Sequence, residues 1–366
     1  MKKRKTICLL ILCALLLANV SPVASAKEEN TSDCYIATTA CPVEYADYAA
    51  KNVAGYVLSY DERVNVNSIR VGTPFAFADI GADVYYFPVL CDGKITYLFR
   101  VYPDGNSFSA AITTFLAKDI EKLGRYTSES LPMYLNLVGT KIVATIGEDS
   151  FVLFEYPDEM SGRESNNVVA SVNDFSVVNV KATTIGQLNL SQARSVSAYI
   201  TLDIIEQQGN ENWCTAFCLA TIIRTQTNFY ATAQGLMTMV LGGNPNINTP
   251  FPWISDDGLM MRVVSSNYNL YPMVLTTTVS DSVLCEELDY GRPCLVAMTA
   301  SSGNHTVVLR GYSSLGTWSI WNPWFSSYES YSMTGTYVPT GCSASTDSYT
   351  PYMHAYNFQE KWLKNG

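Results

Sequence analysis

The stretch Glu206–Cys218 reads EQQGNENWCTAFC and runs on as LATIIRTQT. Its apolar spacing predicts a helix of about three turns that begins at the Trp-Cys pair, with Asn210 or Asn212 as the N-cap. Cys214 then stands at the helix start and Cys218 one turn further, on the same face. A thiolate is the reactive form of cysteine. The positive end of a helix dipole stabilises it, but only within the first turn. If either residue is a nucleophile, Cys214 is the one, and Cys218 is left to packing or a disulfide. On the helix alone, two buried core cysteines is an equally good reading. Gln208, six residues ahead of Cys214 and followed by Gly209, could donate its side-chain amide to an oxyanion beside the thiol. The Cys214 backbone N–H would be the second donor.

A thiol nucleophile needs a base and a group that orients the base. The chain has two histidines, His305 and His354. His305 follows Gly303-Asn304 and begins the strand-like run HTVVLRGY, so it can be held rigidly at a strand entrance. Seventeen residues later Asn322, in SIWNPW, can orient the imidazole through its amide oxygen. Trp324 can cover that hydrogen bond and exclude water, whereas Trp321 reads as core. His354, in SYTPYMHAY, has no comparable partner after it and reads as structural.

Gln-(five residues)-Cys at a helix start, then Asn-His at a strand entrance, then Asn-x-Trp, resembles the order and spacing of papain-like cysteine peptidases. The stretches QGNENWC, NHTVVLRGY and WNPW look most like the staphopain group. The resemblance covers about residues 195–366. It implies Cys214 as nucleophile, His305 as base, Asn322 as orienting residue, Gln208 as oxyanion donor and Trp324 as support. Trp213 before the cysteine and Thr215 after it depart from the plant-type papain pattern, which bears on subsite preference. The resemblance also implies a zymogen whose β-rich N-terminal propeptide fills the cleft and inhibits the enzyme intramolecularly.

The rest of the chain fits an exported protein of two parts. MKKRK, an apolar run and SPVASA read as a secretory signal peptide ending at Ala26. Its removal takes four of the 23 Lys and Arg and none of the 33 acidic residues, leaving a net charge of −14. That excludes nucleic acid and anionic membrane surfaces as expected partners. Eight cysteines remain. The five in the C-terminal half fit one free thiol and up to two bridges. No Cys or His spacing suits a metal, and no cofactor is expected.

Residues 27–190 read as a β-rich α+β unit: a helix at 43–60, hairpins at 84–105 and 141–156, and a short helix at 117–124. The polar stretch 158–200 reads as a linker. Residues 191–366 read as a papain-like α+β domain with helices first and an antiparallel sheet after. Ser255 or Asp256 could cap a second helix, and Ser280 or Ser282 a third. Strands are expected at 294–300, 305–313 and 317–324. Trp253, Met260 and Met261 are candidate pocket-wall residues.

The expected function is a secreted, monomeric endopeptidase acting on polypeptides. Two other readings remain open. One is a secreted cell-wall amidase or endopeptidase of Cys-His type, and the other is an inactive secreted binding protein.

Overall fold

The structure is a computed structural model and describes residues 33–61, 63–78, 83–156, 175–185, 197–252 and 259–360. The signal-peptide reading, Trp253 and the caps at Ser255 and Asp256 fall outside the described residues. Residues 33–366 cluster as one unit.

The N-terminal elements are β1 (Tyr35–Thr38), α1 (Val43–Tyr60), β2 (Ile69–Gly72), β3 (Tyr85–Cys91), β4 (Lys94–Asp104), β5 (Ser107–Thr113) and α2 (Ala117–Gly124). They continue with β6 (Met133–Val138), β7 (Lys141–Ile146), β8 (Asp149–Glu155), β9 (Ser176–Asn179) and β10 (Thr183–Ile185). The C-terminal half begins with β11 (Ser197–Tyr199), α3 (Cys214–Gln226), α4 (Ala233–Leu241), α5 (Leu259–Tyr268), β12 (Leu270–Leu275) and α6 (Asp281–Asp289). It ends with β13 (Cys294–Ala300), β14 (Gly303–Ser313), β15 (Thr317–Trp321), β16 (Tyr328–Ser332), α7 (Ala344–Asp347) and β17 (Thr350–Glu360).

Local chemistry explains the elements that position the site. The β3–β4 hairpin turns at Asp92 and Gly93, both with positive φ (51° and 76°), the backbone that an Asp-Gly pair adopts readily. Helix α1 places Tyr45, Ala49, Val53, Tyr56 and Val57 on one buried stripe. That stripe shares a core with Phe87, Phe99 and Val101 of the adjoining sheet. Strand β15 stops at Trp321, since Asn322 and Pro323 turn the chain; Pro323 also lacks the N–H that a ladder would use.

The strands make an α+β protein with two sheets. The smaller sheet has the order β8-β7-β6-β1-β9, antiparallel except for the β1–β6 pair. The larger runs β10-β2-β3-β4-β5-β16-β15-β14-β13-β17-β12, with β11 added on β14. It crosses from one half to the other at β5–β16, where Thr113 faces Glu329 and Ala111 faces Tyr331. One core cluster accordingly mixes Leu98, Tyr102 and Tyr156 with Trp324, Phe325, Tyr331 and Tyr337. A second cluster surrounds α3.

The structure changes three expectations. The 158–200 linker contains strands: β9 pairs with β1, β10 with β2 and β11 with β14. Open strand edges recruit this polar sequence into ladders despite its loop-like composition. The eight cysteines among the described residues form no disulfide, so the up to two bridges that the odd count allowed are not made. The C-terminal half is not helices first and sheet after, because β12 lies between α5 and α6 and pairs with β17.

Candidate active site

Helix α3 begins at Cys214, as the sequence predicts, but neither Asn210 nor Asn212 caps it. Trp213 occupies the N-cap and supplies no side-chain acceptor. Asn212 and Trp213 instead tie the loop to its neighbour: the Asn212 N–H donates to the Ile247 carbonyl at 2.8 Å, and Trp213 Nε1 donates to Asn246 O at 3.3 Å. The loop is tied to residues 246–247, and the first-turn N–H groups of α3 have no side-chain cap. An uncapped helix start is an electropositive place for a thiolate or an oxyanion.

The first turn of α3 is fastened to the strand that carries the histidine. Thr215 Oγ1 and Thr306 Oγ1 are 2.8 Å apart in the buried interior. Cys218 Sγ donates to the Thr306 carbonyl at 3.3 Å. Thus the residue after Cys214 is bonded to the residue after His305. Cys218 is fully buried, and desolvation, followed by the charge of Cys214, raises its thiol pKa well above normal. A thiol that resists ionisation is a packing residue. Cys214 itself is only partly buried.

His305 is buried, with Nε2 2.9 Å from Asn322 Oδ1. Its ring stacks on Trp324 with centroids 3.7 Å apart. Trp324 N–H donates to the same Asn322 Oδ1 at 3.0 Å. A backbone N–H can only donate, so this contact identifies the amide atom facing His305 as the oxygen. Asn322 Nδ2 donates to the Tyr337 hydroxyl at 2.9 Å. His305 Nδ1 is buried and has no hydrogen-bond partner among the described residues. Burial pulls the His305 pKa down to about 4, against the opposing bond to Asn322.

Gln208 lies beside this cluster, its N–H donating to the Pro323 carbonyl at 2.9 Å. Its Nε2 donates to Glu211 O at 2.6 Å, which uses one of the two amide hydrogens. His354 stands apart. Its Nδ1 accepts from the Val279 N–H at 3.0 Å, a structural role. Among the described residues no group of three or more His, Cys, Asp or Glu could hold a metal. Met260 and Met261 lie in α5, but their side chains are not described.

The sequence reading missed Thr215, Thr306, Tyr337 and Tyr352. The charge of Cys214 contributes, after burial, to raising the Tyr352 phenol pKa, so this β17 residue is a near neighbour of the thiol. Threonines and tyrosines are too common for a single sequence to single these out. Only the pairing of β13 with β14 and β17 places Thr306 and Tyr352, and the bridge of Tyr337 to Tyr349 places Tyr337.

Residues 199–355 match the model of the Peptidase C39 like family. The chain is 22% identical to Staphopain A of Staphylococcus aureus (strain MSSA476), covering 96% of this chain and 98% of that protein. It is 23% identical to Staphopain B of the same strain, covering 60% of this chain and 61% of that protein.

Proposed function

We propose that this chain, which is a papain-like cysteine peptidase of the staphopain type, hydrolyses polypeptides through Cys214, His305 and Asn322 and a covalent acyl-enzyme. The observation that carries the reading is the Thr215–Thr306 bond, which docks the start of α3 against β14 next to His305.

His305 Nδ1 takes the Cys214 proton, and the helix start stabilises the thiolate. The thiolate sulfur attacks the peptide carbonyl. The Cys214 N–H and the Gln208 side-chain amide receive the oxyanion. The imidazolium returns its proton to the leaving amine, and the amine departs from a thioester. His305 then takes a proton from water, whose oxygen attacks the thioester and frees the acid. Asn322 holds the imidazole ring in plane, and Trp324 keeps water off their hydrogen bond. His305 on its own is pushed towards the neutral form. An imidazolium therefore depends on the thiolate charge beside it.

The N-terminal half, 27–190, is proposed as an inhibitory propeptide of the 191–366 peptidase domain, in a zymogen exported through its leader and working as a monomer. Three contacts support this. The Tyr156 ring lies edge-on to Trp324 at 5.6 Å, Phe115 packs on Phe325 at 4.4 Å, and β5 pairs with β16.

Replacing Cys214 by Ala tests the assignment: hydrolysis of unfolded protein should vanish, while Cys218→Ala keeps most of it. Hydrolysis by the Cys214→Ala chain at the parent rate would end the proposal. Activity on muropeptides with none on unfolded protein would favour the cell-wall reading instead.

A further inference from the structure

The hydrogen bonds behind His305 continue away from it into the N-terminal half. Asn322 Nδ2 donates to the Tyr337 hydroxyl, and that hydroxyl donates to Glu329 Oε2. Arg100 Nη1, from β4, donates to Glu329 Oε1 at 2.8 Å and also to Thr340 Oγ1. Thr340 Oγ1 in turn donates to Glu329 Oε1 at 3.0 Å. Arg100, Asn322, Glu329, Tyr337 and Thr340 are each 0% exposed, and His305 is 1% exposed. The Arg100 guanidinium also lies 5.8 Å from the Tyr337 ring centroid. Its Nε and Nη2 find no hydrogen-bond partner among the described residues, so the ion pair is its main anchor.

The relay has a fixed polarity. An ionised carboxylate only accepts, so Tyr337 must spend its one hydrogen on Glu329. The Tyr337 oxygen can then only accept, and Asn322 must present Nδ2 to it. Asn322 Oδ1 is thereby turned to His305 and requires a hydrogen on Nε2. Nδ1 is left as the unprotonated nitrogen, the atom that a base for Cys214 has to offer. Arg100 pairs with Glu329 at 2.8 Å inside a dry core, and the carboxylate of that pair accepts from Tyr337 and Thr340. Without Arg100 the ion pair is broken, and nothing at that end of the relay decides which way the Tyr337 hydroxyl directs its hydrogen. A Tyr337 hydrogen turned towards Asn322 would oppose the Asn322 orientation that the Trp324 N–H also holds.

We infer that Tyr337 and Glu329 are positioning residues that lock His305 in its Nε2–H tautomer, and that Arg100 of the N-terminal half is the counter-ion that sets the relay's direction. This rests on the Cys214–His305 reading proposed above. In the intact chain, folding of the N-terminal half and preparation of the catalytic base are therefore coupled.

The test uses the full chain. Nitrogen-15 spectra of the Cys214→Ala protein carry two histidines, and His354 is an internal control because its Nδ1 also accepts a hydrogen bond. The parent spectrum should show His305 as pure Nε2–H. Tyr337→Phe removes one of the two holds on the Asn322 amide and leaves the Trp324 N–H, so it should give a detectable share of the Nδ1–H tautomer at His305 with His354 unchanged, and Arg100→Met should do the same. In chains that keep Cys214, Tyr337→Phe should slow its alkylation by a small epoxide about tenfold, the effect of one lost hydrogen bond. Tyr337→Phe removes a single oxygen, so it serves if Arg100→Met does not fold. Selective alkylation of Cys214 with His305 still pure Nε2–H in Tyr337→Phe would overturn the relay alone. A parent Cys214 that reacts no faster than the other thiols would overturn the site reading beneath it.

Discussion

Cys214 and Cys218 share a helix face, yet their surroundings separate them. Cys214 is partly buried at an uncapped helix start, whereas Cys218 is sealed against β14 with its thiol on the Thr306 carbonyl. Cys218→Ala removes one weak hydrogen bond and a small buried volume. It should lower stability by about 1 kcal/mol in urea unfolding, with kcat near the parent value. A tenfold loss of kcat with unchanged stability would give Cys218 a role that its burial does not explain. Arg100 is the costlier residue. Arg100→Met strands Glu329 in the core and should destabilise the chain by about 3–5 kcal/mol. At this scale the sequence spoke clearly about Cys214, His305, Asn322 and Gln208, because few residue types can do their chemistry. It was silent on Tyr337 and Glu329, which act through other side chains and lie in ordinary strand-like surroundings.

Two elements meet to make the site. Helix α3 brings the thiol, β14 brings the histidine, and one threonine pair joins them at 2.8 Å. Thr215→Val keeps the shape and leaves the Thr306 hydroxyl without its partner. It should cost about 1–2 kcal/mol in stability and should lower kcat more than it raises KM, because the thiol and the base lose alignment. An unchanged kcat would mean that backbone packing alone aligns the two elements.

Elements with strong periodicity or turn chemistry were legible: α1, α3 and the Asp92-Gly93 hairpin start and stop where the residues say. Helix α4 was not. Its signals are the Thr232 N-cap, whose hydroxyl accepts from the Gly235 N–H, and the apolar run LMTMVL before Gly242-Gly243, a short apolar run that reads equally well as a strand. Strands β9 and β10 were missed for a different reason. Their sequence is neutral, and the open edges of β1 and β2 decide their fate.

At the scale of the whole molecule, the described residues between 33 and 360 make one compact unit, with a sheet and a core common to both halves. No single sequence stretch announces such a junction, since β5 and β16 are more than two hundred residues apart and each reads as an ordinary half-buried strand. Both histidines are held neutral in this body, and burial takes each of their pKa values down to about 4. Between an unfolded value near 6.5 and about 4, the unfolded chain binds protons that the folded one refuses. Stability should therefore fall as pH drops through that window and level off for these groups below it. His354→Asn keeps an acceptor for the Val279 N–H and removes the titration. In the Cys214→Ala background it should reduce the loss of stability between pH 7 and 4 by about 3 kcal/mol at most. Identical pH profiles with and without His354 would show that it titrates normally in the folded chain.

The most direct measurement of the central claim is site-mapped labelling of the full chain by an epoxide-type thiol reagent. It is run before and after limited proteolysis between residues 157 and 196, alongside a His305→Ala control. The account predicts that the nicked protein is modified at Cys214 alone, faster than the intact chain, and that His305→Ala abolishes the selectivity. Modification spread evenly over the thiols, or centred on Cys218, would contradict it.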